Sequence, residues 1–113
     1  MMDGSKNKSI YTAALLFRSL RDGAFLPQNL WEESIILIEA ISQEDALAKA
    51  NEIGRCRRVS YATQDGTELV WEFFKVERVF EVTNALEDGA EIFSRFLRNS
   101  EVESLLTPFD DII

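Results

Sequence analysis

The 113-residue chain contains no histidine, a single cysteine (Cys56), two prolines and five glycines. Without imidazole it lacks the commonest acid–base group at neutral pH and the usual nitrogen ligand of zinc or copper. A lone thiol closes no internal disulfide and supplies no paired thiolate, which suits a reducing compartment. The scattered glycines form neither GxGxxG nor a phosphate loop. No segment approaches the ~20 apolar residues of a membrane helix. The run Ile10 to Phe17, preceded by Lys6 and Lys8, is closed by Arg18 and Arg21 with no small-residue cleavage site, unlike a secretory signal. Positive charge is also scarce: 12 basic against 20 acidic residues give a net charge of -8. Such a surface repels phosphate backbones and anionic lipid. The expectations are therefore a cytoplasmic protein with no cofactor, no metal, no nucleic-acid partner and no membrane partner.

What is present describes a globular chain. Apolar residues make up 46% and charged ones 28%, with twelve aromatics. A chain of this size buries roughly 65% of its unfolded surface and needs no staples. Residues 1–8 read as a polar tail and residues 9–113 as a single α+β domain. Residues 9–20 read as a strand ending at the turn Asp22-Gly23. Residues 30–41, centred on Ile35-Ile36-Leu37-Ile38, read as a second strand, because β-branched side chains favour a pleated surface. A helix follows. Ser42 is its N-cap, Glu44 and Asp45 lie in the first turn, Ala46, Leu47, Ala50 and Ile53 form the apolar stripe, and Gly54 is placed as a left-handed stop. Asp65-Gly66 between residues 57–63 and 67–71 predicts a hairpin whose second arm runs to Val82. Fourteen residues would reach about 46 Å as one straight strand, so a bulge or strong bend is expected near Lys75 to Arg78. Residues 91–98 read as a last strand, and Ser100 with Glu103 as the start of a short helix carrying Val102, Leu105 and Leu106, ended by Pro108. The order is β-β-α-β-β-β: an antiparallel sheet of four to five strands, one helix on one face, and a short C-terminal helix.

Alternation along these strands makes both faces apolar at mid-strand. Ile36, Ile38 and Ala40 oppose Ile35, Leu37 and Ile41, while Val70, Phe74 and Val76 have the opposite parity to Trp71 and Phe73. One alanine-striped helix cannot cover both faces. The second must meet the C-terminal Leu105, Leu106 and Phe109, or another subunit, and a second copy or a protein partner is the expected company. Ile35, Leu37, Trp71 and Phe73 are the candidate interface residues.

The ordered words Ala14-Leu15-Leu16-Phe17-Arg18-Ser19, Trp31-Glu32-Glu33-Ser34, Asp45-Ala46-Leu47-Ala48-Lys49-Ala50 with Gly54, Ser60-Tyr61, Asp65-Gly66, Trp71-Glu72-Phe73 and Asp88-Gly89-Ala90-Glu91-Ile92-Phe93-Ser94-Arg95 span residues 10–98. In that order they resemble a family of small, mainly bacterial proteins known as domain of unknown function 4288. The resemblance implies a compact cytosolic α+β domain and brings no catalytic residues with it.

Candidate chemistry is sparse, and no catalytic residue is assigned. Cys56 lies among Arg55, Arg57 and Arg58, cations that can activate a thiol, yet no histidine exists to serve as its base. The paired carboxylates Glu32-Glu33, Glu72 with Glu77, Glu87-Asp88 and Asp110-Asp111 are close in sequence, which does not make them groups facing across a cleft. The charges embedded in apolar runs carry more information: Arg18, Glu33, Glu72 and Arg95. They read either as a cross-strand ladder of ion pairs, or as a site for a small anionic or zwitterionic ligand with Arg18 and Arg95 as donors and Trp71 as a stacking wall. The leading functional expectation is a non-enzymatic interaction or self-associating domain, whose acidity suits a basic partner protein. The alternative is a small-anion-binding domain or modest enzyme around Arg18, Glu33, Trp71 and Arg95.

Overall fold

The computed structural model describes residues 7–25 and 30–107 of the chain. Most of the expected N-terminal tail, Pro27, Pro108 and Phe109 lie outside them. The elements are β1 (Ser9–Arg21), β2 (Trp31–Ala40), α1 (Gln43–Arg55), β3 (Val59–Ala62), β4 (Glu68–Val82) and α2 (Asn99–Leu106). The strands form one antiparallel sheet in the order β2-β1-β4-β3. This is the expected α+β architecture with four strands. The strand expected over residues 91–98 is absent from the sheet. Its apolar residues fall in adjacent pairs, Ile92-Phe93 and Phe96-Leu97, instead of alternating, so a ladder would send each pair to opposite faces.

Two tight turns set the frame. Asp22 and Gly23 both have positive φ, and Arg21 and Ala24 exchange backbone hydrogen bonds of 2.9 Å across them. That geometry matches the right-handed twist of the flanking chain. The Asp22 carboxylate accepts from the Glu68 N–H at 2.9 Å, tying this turn to the start of β4. In the hairpin between β3 and β4, Gly66 has φ +87, and the Asp65 carboxylate accepts from the Thr63 hydroxyl and, at 3.0 Å, from the Thr67 N–H. These bonds, Thr63 first and Thr67 second, lower the Asp65 pKa to about 2. A carboxylate depressed in the folded state contributes stability that is present above its ordinary pKa near 4 and is lost as the pH falls through about 2. In an NMR titration Asp65 is expected to titrate near 2, with faster Thr67 amide exchange over the same range. A midpoint at the ordinary value would refute the assignment.

The core lies between α1 and one face of the sheet. Tyr11, Ala13, Leu15 and Phe17 of β1, Ile38 and Ala40 of β2, and Val76 of β4 pack against Ala46 and Ala50. Alanines let the helix approach closely, as the stripe implied. The Ser42 hydroxyl accepts from the Asp45 N–H at 3.0 Å, and the Asp45 carboxylate accepts from the Ile41 N–H at 3.1 Å. Gly54 corrects the sequence reading: it is not a left-handed stop but lies inside the last turn, and Cys56, in a right-handed conformation, caps the helix. A Cβ on Gly54 would fall 2.9 Å from Phe73 Cζ and still closer to Cε1 and Cδ1. The glycine serves packing, not chain reversal.

β4 contains two bulges. Its register against β1 shifts between Ala14 and Leu15, and again between Leu16 and Phe17. Glu77 and Phe74 are the extra residues. The first shift lies in the expected window and the second just before it. Each reverses the inside–outside alternation. Val76 therefore joins Trp71 and Phe73 on the α1 face, while Phe74 turns to the other face with Val70. Simple parity had placed Val76 with Phe74.

Candidate functional site

The face of the sheet away from α1 carries, strand by strand, Trp31, Glu33, Ile35, Leu37 and Glu39 of β2, the even-numbered residues Ile10 to Leu20 of β1, and Val70, Glu72, Phe74, Lys75, Arg78, Phe80 and Val82 of β4, as the registers require. One end is covered by residues 90–93. The buried Thr12 hydroxyl donates to the Ile92 carbonyl at 2.9 Å. The Phe93 ring meets Phe80 edge-on at 5.7 Å and lies 5.6 Å from the Arg78 guanidinium. The cover for this end is thus the Ile92 backbone and the Phe93 ring, not Leu105 or Leu106.

At the other end lies a cluster of one cation and three aromatic rings. Arg18 Nε donates to Glu72 Oε1 at 2.9 Å, directly across the β1–β4 ladder. Its guanidinium carbon sits 5.3 Å from the Phe25 ring centre and 5.1 Å from that of Phe74. Trp31, opposite Arg18 on β2, contacts Phe25 at 5.5 Å and Phe74 at 5.0 Å, both edge-on. The bulge supplies Phe74 to this cluster. Both side chains of the ion pair are about 30% exposed, so the pair is worth less than about 1 kcal/mol, with a comparable contribution from each cation–π contact.

The five charged and aromatic residues of the expected ligand site are therefore dispersed. Arg18 and Glu72 meet as ladder partners. Glu33 lies opposite Leu16 on the far strand. Trp71 is on the α1 face, so the ring stacked beside Arg18 is Phe74, with Trp31 behind it. Arg95 is exposed in the irregular segment and forms no ion pair among the described residues. The candidate interface residues divide in the same way. Ile35 and Leu37, 45% and 56% exposed, lie on the second face, whereas Trp71 and Phe73 pack on the α1 side. Trp31 and Phe25 belong with Arg18; the β1–β2 register brings the first beside it, and nothing in the local sequence announced either.

Between the covered end and the aromatic cluster runs a strip formed by Leu16, Ile35 and Leu37, flanked by Lys75 and Arg78. The C-terminal segment leaves the sheet after Phe93 and ends in α2, whose first turn is closed by the Arg98 N–H donating to Glu101 Oε1 at 2.7 Å. That cap sits two residues earlier than the Ser100 start expected from spacing. No residue of α2 is buried, and α2 packs against no other element. Leu105 and Leu106 are 63% and 78% exposed. The radius of gyration, 17.6 Å, exceeds the roughly 13 Å of a compact chain this long.

No helix among the described residues is long and apolar enough to cross a membrane. A family model described as Domain of unknown function (DUF4288) matches residues 10–94. That stretch takes in β1 through β4 and the segment that crosses the second face, and stops before α2. No curated protein and no solved structure matches the chain.

Proposed function

Since the chain belongs to the DUF4288 family, a membership that carries no activity with it, we propose from the geometry that it is a non-enzymatic, self-associating domain. In this reading α2 of one copy lies on the uncovered strip of a second copy's sheet, and the exchange is reciprocal. One observation carries the reading: α2 presents Val102, Leu105 and Leu106 on one stripe while packing against no other element among the described residues. Charge favours a second copy over a strongly basic partner. The strip is bordered by Lys75 and Arg78, and across the whole face Arg18, Lys75 and Arg78 balance Glu33, Glu39 and Glu72, so this face is not an acidic patch. Arg78 already pairs with Glu77 at 3.6 Å, but Lys75 forms no ion pair among the described residues, and Glu103 on α2, which has no basic residue in its last turn, complements it. Residues 90–93 already lie on the same face of their own sheet, so the tail leaves from beside the surface it would occupy on a partner. Two such contacts about a two-fold axis close the assembly without free ends.

Light scattering on a sizing column tests this. The wild-type protein is expected at twice the chain mass at micromolar concentration. The Leu105→Glu/Leu106→Glu variant is expected at the monomer mass with an unchanged circular dichroism spectrum, because α2 supports nothing in its own fold. Leu37→Lys, on the opposing surface, should weaken association at least ten-fold. A wild-type monomer at hundreds of micromolar, or a dimer indifferent to both changes, would remove the proposal.

A further inference from the structure

A second surface, on the α1 side of the sheet, has no role in that association. α1 is 13 residues long, about 20 Å, while β1, also 13 residues, extends about 43 Å. Past the last turn of α1 a groove of about 810 Å³ opens between β2 and the connection from α1 to β3. Phe17 and Trp71, paired with Phe73 and Ser19 respectively on the α1-side register, form its floor. Glu32 and Ser34 of β2 stand on one bank; Cys56, Arg57, Arg58 and Val59, between α1 and β3, form the other. Glu33 also lines it, but its ladder position opposite Leu16 assigns its side chain to the second face.

We propose that this groove binds a planar aromatic anion, a carboxylate or sulfonate on a one- or two-ring system. The volume suits a small molecule, and the half-buried Trp71 indole, backed by the buried Phe17 ring, gives the groove an apolar floor. Charge selects the ligand's polar group. In a chain with a net charge of -8, Arg57 and Arg58 form no ion pair or side-chain hydrogen bond among the described residues. Both guanidiniums keep their full donor capacity, in the planar fork that matches a carboxylate or sulfonate. Two opposing charges are present: the negative end of α1, equivalent to about half a charge and partly capped by the Cys56 and Arg57 N–H groups, and the Glu32 carboxylate on the far bank. Two full positive charges beside the helix end outweigh the first. Glu32, across the floor, directs the anionic group toward the arginine bank.

The chain carries its own reporter, since Cys56 is the only cysteine and is exposed in this groove. The probes are 2-naphthoate, neutral 2-naphthamide and cationic 2-naphthylmethylamine, applied to the full-length protein. Binding is followed by calorimetry and by the rate at which iodoacetamide alkylates Cys56. Naphthoate is expected to bind saturably, to slow alkylation, and to bind at least ten-fold tighter than the amide. Arg57→Ala/Arg58→Ala should abolish that preference while leaving amide binding and the circular dichroism spectrum unchanged; Arg57→Lys/Arg58→Lys, which keeps the charge but loses the planar fork, should retain only part of it. Equal binding of naphthoate and naphthamide, tighter binding of the amine, or an alkylation rate indifferent to saturating naphthoate would overturn the proposal. Repeating the titration on the Leu105→Glu/Leu106→Glu protein separates this result from self-association.

Discussion

Gly54→Ala is expected to destabilise the protein by about 1–3 kcal/mol, against the sign that helix propensity assigns to it. In an exposed helix interior, replacing glycine by alanine gains up to about 1 kcal/mol, because the unfolded chain loses freedom it would otherwise have to surrender. Here the added methyl would penetrate the Phe73 ring, meeting Cζ at 2.9 Å with two further ring atoms nearer still. The ring has little room to retreat: it is packed edge-on against Phe17 at 5.8 Å, and Phe17 is itself buried. Relief must come from lifting the end of α1 off the sheet or forcing Phe73 off its rotamer, which is the usual penalty for overpacking a core. Urea unfolding at constant slope measures the loss. Phe73→Leu supplies the control, since a smaller side chain makes room for the methyl and the double variant should lose less than the sum of the two single changes. A Gly54→Ala protein more stable than wild type would show that the helix end is loosely seated.

Leu15→Ala should be more damaging, at about 2–5 kcal/mol. Leu15 is wholly inaccessible to solvent at the centre of β1, between Ser34 on β2 and Val76 on β4 and beneath α1. Truncation loses the transfer free energy of three buried carbons and leaves a cavity that an alanine-faced helix cannot collapse to fill. Total stability for a domain of this size is typically about 5–15 kcal/mol, so the variant is expected to retain its sheet signal but unfold at much lower denaturant concentration. Leu16, its sequence neighbour, faces the second side and is half-buried; Leu16→Ala should be distinctly milder. Equal effects of the two substitutions would mean that the second face is as well packed as the first.

Much of the architecture was legible in the residues. Ser42 announced its helix because an N-cap hydroxyl acts on N–H groups within its own first turn. Asp22-Gly23 and Asp65-Gly66 announced their turns because both need positive φ within a few residues. The expected bulge or bend followed from length alone, since fourteen residues of straight strand overrun a small domain. What escaped depended on contacts between segments remote in sequence. Gly54 at a helix end looks like a stop signal until Phe73, nineteen residues away in the chain, is placed beneath it. Residues 91–98 have strand-like composition, but their destination was decided by the Thr12 hydroxyl and the Phe80 ring. The candidate ligand residues were gathered by chemical type, and a fold that puts Arg18 and Trp71 on opposite sides of one sheet cannot unite them. Arg57 and Arg58 were visible beside Cys56, but the groove they border exists only because α1 stops short of the sheet's end.

The sequence by itself determined the local conformations, the α+β class, the family, and a surplus of apolar side chains on both sides of the strands, since these depend on periodicity and on groups a few residues apart. Only the tertiary structure decided which parity each half of β4 presents, because two bulges, invisible to any fixed period, reverse it twice. It also decided that α1 stops short of the sheet's end and that α2 packs against no other element among the described residues. Those outcomes rest on matching the lengths and shapes of whole elements against one another, a long-range condition that no window of sequence contains.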